Sequence, residues 1–338
     1  MGFRVRELHR GELDGFLACF QAAFGVDDSS VSVIRNSLVN DPYFHPERVR
    51  VGVLDGVVIS HAVVLHRAAY VGSQVITVAG VTAVGTHPAH QRRGFGAKVM
   101  QDAIRMIRQR GYDLAMLTTR IPQFFEHLGF REVPQCMGFE CPAAGLARVQ
   151  VTDSYSVEKM DYNRHWPALA AIYHQYSVGR TGLQVRDMRY WETWPRRGTF
   201  PHGFTYGLDA TGLIAVASGQ MVAYLAAYCP PDFPHLTVSE LAHLQGHEQA
   251  ALLLLRNAAQ DFLQKGTGRV IIHVGGDAPV LSLLGTHKVP FEPETSPGLM
   301  VLIPNRDWLR TAGFTNADDA VDHLFRSTPP IRWHRDGY

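Results

Sequence analysis

Two spacings of apolar residues alternate along the chain, and together they predict most of its elements. Over residues 12–24, Phe16, Leu17, Phe20 and Phe24 recur at helical intervals, so one aromatic face points inward. Residues 48–54 and 57–69 are β-branched runs joined by Asp55-Gly56, a pair suited to a two-residue hairpin. Gly72-Ser73 turns the chain into a third long strand, 74–86, which bends at His87-Pro88. Residues 97–110 form an amphipathic helix stopped by Gly111, where a left-handed residue is favoured. A buried strand over 113–118 comes next, then a short helix over 122–128 between Pro122 and Gly129, then a strand over 130–139.

A fainter copy of this order begins near residue 151. It reads as a helix over 164–176, strands over 204–208, 213–217 and 222–228 with turns at 209–212 and 219–220, and a longer strand over 235–242. A helix over 248–265, a strand over 269–274 and a short helix over 277–284 complete it. Self-similarity on this scale implies duplication. Residues 306–314 and 317–325 read as terminal helices, and 327–338 carries no regular pattern.

Composition narrows the classes. At 338 residues, 46% hydrophobic and 19% charged, the chain is long enough for two cored domains. A net charge of +1 argues against a dedicated nucleic-acid binder. No apolar run suggests a membrane span or a secretory leader, so a cytoplasmic protein without a membrane partner is expected. Cys19, Cys136, Cys141 and Cys229 form no disulfide or metal spacing, and Cys136 and Cys141 read as buried thiols.

The chemistry concentrates between the third strand and the amphipathic helix, at Gln91-Arg92-Arg93-Gly94-Phe95-Gly96. A helix N-terminus presents unpaired N–H groups and the positive end of its dipole, which favours anions. Gly94 and Gly96 let a phosphate approach the main chain, and two arginines add full charges. Gly/Arg strings also occur in ordinary turns, so the strand–loop–helix context decides in favour of a diphosphate loop. The corresponding turn of the second half, Leu244-Gln245-Gly246-His247, has one glycine and no arginine.

The spacing Gln91-x-x-Gly94-x-Gly96, with Phe124-Phe-Glu-His-Leu-Gly-Phe130 downstream, resembles the GCN5-related N-acetyltransferase superfamily over roughly residues 1–140. More narrowly, the stretch from Val81 through His87-Pro88 to Gly94 resembles the enhanced-intracellular-survival type of tandem acetyltransferase, whose second domain is degenerate. The resemblance implies an α/β fold of two tandem acetyltransferase-like domains, each a mixed, largely antiparallel sheet with flanking helices. An acetyl-CoA-binding domain would span 1–150, a degenerate one 151–310, and a helical tail 311–338. It also implies a coenzyme site. Backbone groups of Val84, Gly85 and Thr86 would pair with the pantetheine arm as an added strand. Arg92, Arg93, Gly94, Phe95, Gly96 and Ala97 would hold the diphosphate, with Arg120 at the far end of the coenzyme. The activity implied is direct acetyl transfer to a primary amine, on a small molecule or a peptide, without a metal. Relatives of this type often assemble, which leaves a homo-oligomer open.

Two departures bear on catalysis. The usual general acid is a tyrosine four residues before the glycine, and that position is Phe125. Tandem relatives continue into a sterol-carrier-like domain whose terminal carboxylate serves as base, whereas about 25 residues follow Gly313 here; Tyr338 could present its own carboxylate. Glu126 and His87 are the remaining catalytic candidates, with His127 beside them, and all three also read as solvated or loop residues. Asp27 and Asp28 suit a cap as well as attraction of an amine. His243 and His247 lack a third metal ligand. Tyr176, Tyr190, Trp191 and Trp194 suit either a core or an acceptor wall. The alternative function is a CoA-binding sensor or assembly module without catalysis.

Overall fold

A computed structural model describes residues 2–152, 154–193, 209–230, 235–266 and 268–327. The first half opens with strand β1 (Arg4–Glu7), helix α1 (Leu13–Phe24) and helix α2 (Asp28–Val39). The meander β2 (Val49–Leu54), β3 (Val57–Val71) and β4 (Gln74–Thr86) follows, with the hairpin turn at Asp55 and Gly56 where both φ angles are positive. Helix α3 (Phe95–Gln109), strand β5 (Leu114–Thr118), helix α4 (Pro122–Glu126), strand β6 (Arg131–Pro142) and helix α5 (Ala143–Leu146) complete it. The second half has β7 (Ser156–Lys159), α6 (Tyr162–Ser177), α7 (Met188–Thr193), β8 (Asp209–Ala217), β9 (Gln220–Cys229), β10 (His235–His243) and α8 (Glu248–Leu263). It ends with β11 (Arg269–Ile272), α9 (Pro279–Thr286), β12 (Glu292–Leu302), α10 (Arg306–Thr311) and α11 (Ala317–Phe325).

Several elements differ from the sequence expectation, three of them in ways that bear on the site or the sheet. Helix α2 stands where no element was assigned, started by Asp27, whose carboxylate accepts the Ser30 amide at 2.8 Å. The turn expected at 209–212 belongs to β8, whose ladder to β9 runs from Asp209/Cys229 onward. Strand β12 contains Pro293 and Pro297, which hide it from pattern reading; its register with β6 shifts after Glu294 and again between Ser296 and Leu299. The strand expected at 204–208, Trp194 and Tyr338 lie outside the described residues.

The strands join in one sheet of order β1-β2-β3-β4-β5-β12-β6-β11-β10-β9-β8-β7. Only β4 with β5 and β10 with β11 pair in parallel among the described residues, at matching places in the two halves. The last strand, β12, enters the first half between β5 and β6, while β6 leads across to β11. Each half therefore completes its sheet with a strand from the other.

Both faces are covered. Helix α3 buries Val99, Met100, Ala103 and Ile107 over the central strands, while α1 packs Phe16 and Leu17 on the opposite face. Trp308, Leu309 and Leu324 of α10 and α11 extend that second layer over Val78, Leu114 and Leu299. In the second half, Leu252, Leu255 and Ala258 of α8 anchor the largest core, which also holds the buried thiols Cys136 and Cys141. Burial pushes the Cys141 thiol up to about 12, so it stays protonated at neutral pH. Among the described residues no helix is long and apolar enough to cross a membrane.

Candidate active site

The site begins where two parallel strands part. The β4–β5 ladder pairs Val78 with Leu114, Ala79 with Ala115 and Gly80 with Met116, and goes no further. Beyond it β4 bulges: its register with β3 shifts between His61 and Val63, and Ala83 takes a φ of +47°. The divergence opens a cleft of about 1290 Å³ between the strand ends. Val84, Gly85 and Thr86 line one side, and Thr118 and Arg120 the other. Past Gly80 the β4 edge facing the cleft has no β5 partner, so its peptide groups can accept an extended ligand.

The loop Gln91–Gly96 lies at the mouth of the cleft. Arg92 has a φ of +57° and Gly94, the cap residue of α3, a φ of +77°. Left-handed residues at 92 and 94 suit a nest, in which neighbouring N–H groups turn toward one side and can hold an anion. The Gln91 amide donates to the Thr86 carbonyl at 3.1 Å, tying loop to strand. Gly96 abuts Thr86 so closely that a Cβ would stand 3.1 Å from its hydroxyl. Arg92, Gly94, Phe95, Gly96 and Ala97 all line the cleft. Arg93 does not; its guanidinium lies 5.1 Å from the centre of the Phe95 ring, beside His90.

The catalytic candidates fare unevenly. Phe125 lines the cleft but is 4% exposed, with ring centres of Phe124 at 4.9 Å and Phe130 at 6.0 Å. Glu126, the last residue of α4, and His127 just after it are exposed and do not line the cleft; the His127 ring bonds back to the Gln123 carbonyl. His87 accepts the Ala89 amide at 3.3 Å, capping the turn after β4, and also stands outside the lining. Asp27 caps α2 as described, and Asp28 accepts from the Gln21 side chain.

Two polar residues of the site were not singled out from sequence. Glu132, at the start of β6, is the one carboxylate lining the cleft among the described residues, and it accepts the Gly298 amide at 2.8 Å. His61 on β3 is fully buried and bonded through Nδ1 to the Ala83 carbonyl at 2.6 Å. Its neighbour Ser60 donates to the Gly85 carbonyl at 2.9 Å. The available signal was the pair Ser60-His61 inside the otherwise apolar run from Val57 to Leu65.

The second half repeats the parting of strands but fills the gap. Strands β10 and β11 pair up to Val238 and Ile272, and β10 then bulges at Ser239. Glu240 takes two hydrogen bonds from Arg186, at 2.8 and 2.9 Å, and one from the Tyr224 hydroxyl. The Arg186 guanidinium is enclosed by Tyr173 at 4.1 Å and by Tyr190 and Trp191 at 5.2 Å. Burial, with Glu240 alongside, holds the Tyr224 hydroxyl well above the usual tyrosine range. What remains is a cavity of about 20 Å³ beside Tyr176. The aromatic residues of this half therefore pack a core. His243 lies edge-on to Tyr176 at 5.2 Å, and no group of three or more potential metal ligands occurs among the described residues.

The geometry agrees with the comparisons to known proteins. The acetyltransferase (GNAT) domain family matches residues 4–133. That match lies in the first half of the chain, and the fold of nearly the whole chain is shared with solved GNAT proteins, a tandem GNAT protein among them. A GCN5-related N-acetyltransferase from Anabaena variabilis superposes with a TM-score of 0.70 at 15% identity, covering 90% of this chain and 73% of the other. Eis1 from Mycobacterium abscessus gives 0.64 at 16% identity, covering 92% and 75%. A tandem GNAT protein from the clavulanic acid biosynthesis pathway gives 0.50 at 15%, covering 90% and 99%. At these identities the structural likenesses bear on fold. No curated protein matches the sequence.

Proposed function

We propose that the protein is an acetyl-CoA-dependent N-acetyltransferase that acts on a primary amine by direct attack, working in the cytoplasm. One observation carries the reading: the unpaired β4 edge and the Arg92–Gly94 nest open into the same cleft. An extended arm ending in a diphosphate fits that pairing of features. Val84, Gly85 and Thr86 would bond the pantetheine amides, the amides of residues 92–97 the diphosphate, and Arg120 the far end of the coenzyme. The resident residues suit this ligand, since a side chain at Gly94 would project into open space in front of the nest.

In the reaction a neutral amine nitrogen attacks the thioester carbon. The C–N bond forms, the C–S bond breaks, and the sulfur leaves with the electron pair. The nitrogen then loses its proton to solvent or a base. Positioning supplies most of the acceleration in such a scheme. A thiolate is a competent leaving group, so phenylalanine at 125 slows the step without forbidding it. Glu132 is the cleft carboxylate placed to attract a cationic amine.

A second reading has its own observation: Phe125 carries no proton and is packed among apolar rings, which favours a CoA-binding module without turnover. Release of free thiol from acetyl-CoA across a panel of small and peptide amines separates the two. Amine-dependent thiol release supports the enzyme. CoA binding without turnover for any amine supports the module, and no CoA binding at all removes both.

A further inference from the structure

The bulge that opens the cleft contains Ala83, which has no partner in the β3–β4 register. Opposite Ala62, β4 spends two residues, Ala83 and Val84, and Ala83 takes a left-handed φ of +47° that an alanine rarely adopts. Ala83 is partly buried, and a donor from the protein holds a carbonyl there in place. The holder is His61. Its Nδ1 stands 2.6 Å from the Ala83 oxygen, and since a carbonyl only accepts, that nitrogen carries the proton.

Aromatic side chains surround the ring. Phe16, Phe20 and Phe24 lie around it, with centres 5.0, 6.0 and 6.3 Å away. On the cleft side, Gly85 comes so near that a Cβ there would be 2.8 Å from the ring's Cε1 and 2.9 Å from the Ala23 methyl. Gly85 is thus small because His61 is behind it. Burial keeps the imidazole neutral by lowering it to about 4, consistent with a single proton on Nδ1 at working pH. The second half shows the alternative. There the bulge at Ser239 is backed by Tyr224 and Glu240, whose network with Arg186 occupies the space, and the gap is closed.

We propose that His61 is a positioning residue: by donating to the Ala83 carbonyl it fixes the β4 bulge, so that the Val84–Thr86 edge is presented to the pantetheine arm. The inference rests on the coenzyme reading above. His61 does not touch the ligand; it acts through the strand. It therefore governs the part of the coenzyme that lies along β4 and leaves the nucleotide part alone.

The test compares two ligands on the full-length protein by calorimetry: acetyl-CoA, and adenosine 3′,5′-bisphosphate, which lacks the pantetheine arm. In His61→Phe, which fills the site without a donor, acetyl-CoA affinity is expected to fall about tenfold or more, while the bisphosphate stays within about twofold. In His61→Asn, whose amide nitrogen stands near the Nδ1 position, acetyl-CoA affinity is expected to recover to within about threefold of the original protein. Should the Phe variant not fold, His61→Gln, whose amide stands near Nε2 instead, is expected to show the same selective loss. Unchanged acetyl-CoA binding in the Phe or Gln variant, equal loss of both ligands, or an Asn variant no better than Phe would overturn the role of His61. An unaltered protein that binds neither ligand would overturn the coenzyme reading itself.

Discussion

The Glu132 carboxylate and the Gly298 amide meet at 2.8 Å on the rim of the cleft, although 166 positions separate them in sequence. Gly298 has a φ of +85°, and its carbonyl accepts the Thr119 amide at 2.8 Å. A Cβ there would lie 2.1 Å from the Thr119 oxygen, a contact the backbone cannot accommodate. Gly298→Ala is therefore expected to cost about 3 kcal/mol or more through clash and left-handed strain, read as a lowered urea midpoint. A midpoint equal to that of the original protein would mean that β12 does not approach β5 in this way.

The same strand makes the first half dependent on the second. Leu299, Met300 and Val301 are at most 1% exposed between β5 and β6. Losing three buried side chains at about 2 kcal/mol each removes about 6 kcal/mol, comparable to the whole stability of a small domain. Residues 1–150 expressed alone are expected to lack a cooperative unfolding transition by near-ultraviolet circular dichroism. A sharp transition in that fragment would establish an autonomous first domain.

This dependence also marks what the sequence could tell. Local signals were strong where one strand and one turn decide the outcome: Gln74–Thr86 appears with the expected bounds, and the Asp55-Gly56 hairpin with the expected turn. Strand β12 was illegible because its two prolines and Gly298 break the alternation, and its pairing is fixed by β5 and β6, far away in the chain. The loop Gln91–Gly96 stood out as a candidate because its charges and glycines are contiguous. Glu132 and His61 were not, since what singles them out is the company of Gly298 and Ala83 rather than any neighbour in sequence.

Gly94 gives the sharpest test of the loop. Its φ of +77° and the open space beyond its missing Cβ allow a side chain to point where the diphosphate would lie. Gly94→Glu is expected to weaken acetyl-CoA binding by at least about two orders of magnitude, since like charges near 4 Å repel by about 4 kcal/mol at the protein surface. Gly94→Asn, which tolerates the left-handed conformation, separates charge from strain and is expected to bind more tightly than the Glu variant. Equal affinities for the two variants would assign the effect to the backbone.

Phe125 bears on the acid. Because the ring lines the cleft while packing against Phe124 and Phe130, a tyrosine there would keep the packing and carry its hydroxyl at the ring's end. Phe125→Tyr is expected to hold or raise the amine-dependent thiol release, by up to about a hundredfold if the hydroxyl protonates the leaving sulfur. A tenfold fall in kcat with unchanged circular dichroism would reveal a role for the bare ring.

His61 ties stability to pH. Its ordinary value of 6.5 falls to about 4 in the folded chain because the site is fully buried. Between those values the unfolded chain binds the proton and the folded chain does not, so acid favours unfolding. The stability is complete above pH 6.5, declines as pH drops toward 4, and levels off below that; at pH 5 this one ring accounts for a loss of about 2 kcal/mol. His66, half-buried and also lowered to about 4 by burial and by Arg48, adds a loss of the same sign. Urea unfolding of the original protein and of His61→Asn at pH 7 and pH 5 isolates the first contribution. The variant is expected to lose about 2 kcal/mol less on acidification, because its amide does not titrate. Parallel losses in the two proteins would show that His61 is protonated in the folded state at pH 5, and that its bond to Ala83 tolerates the charge.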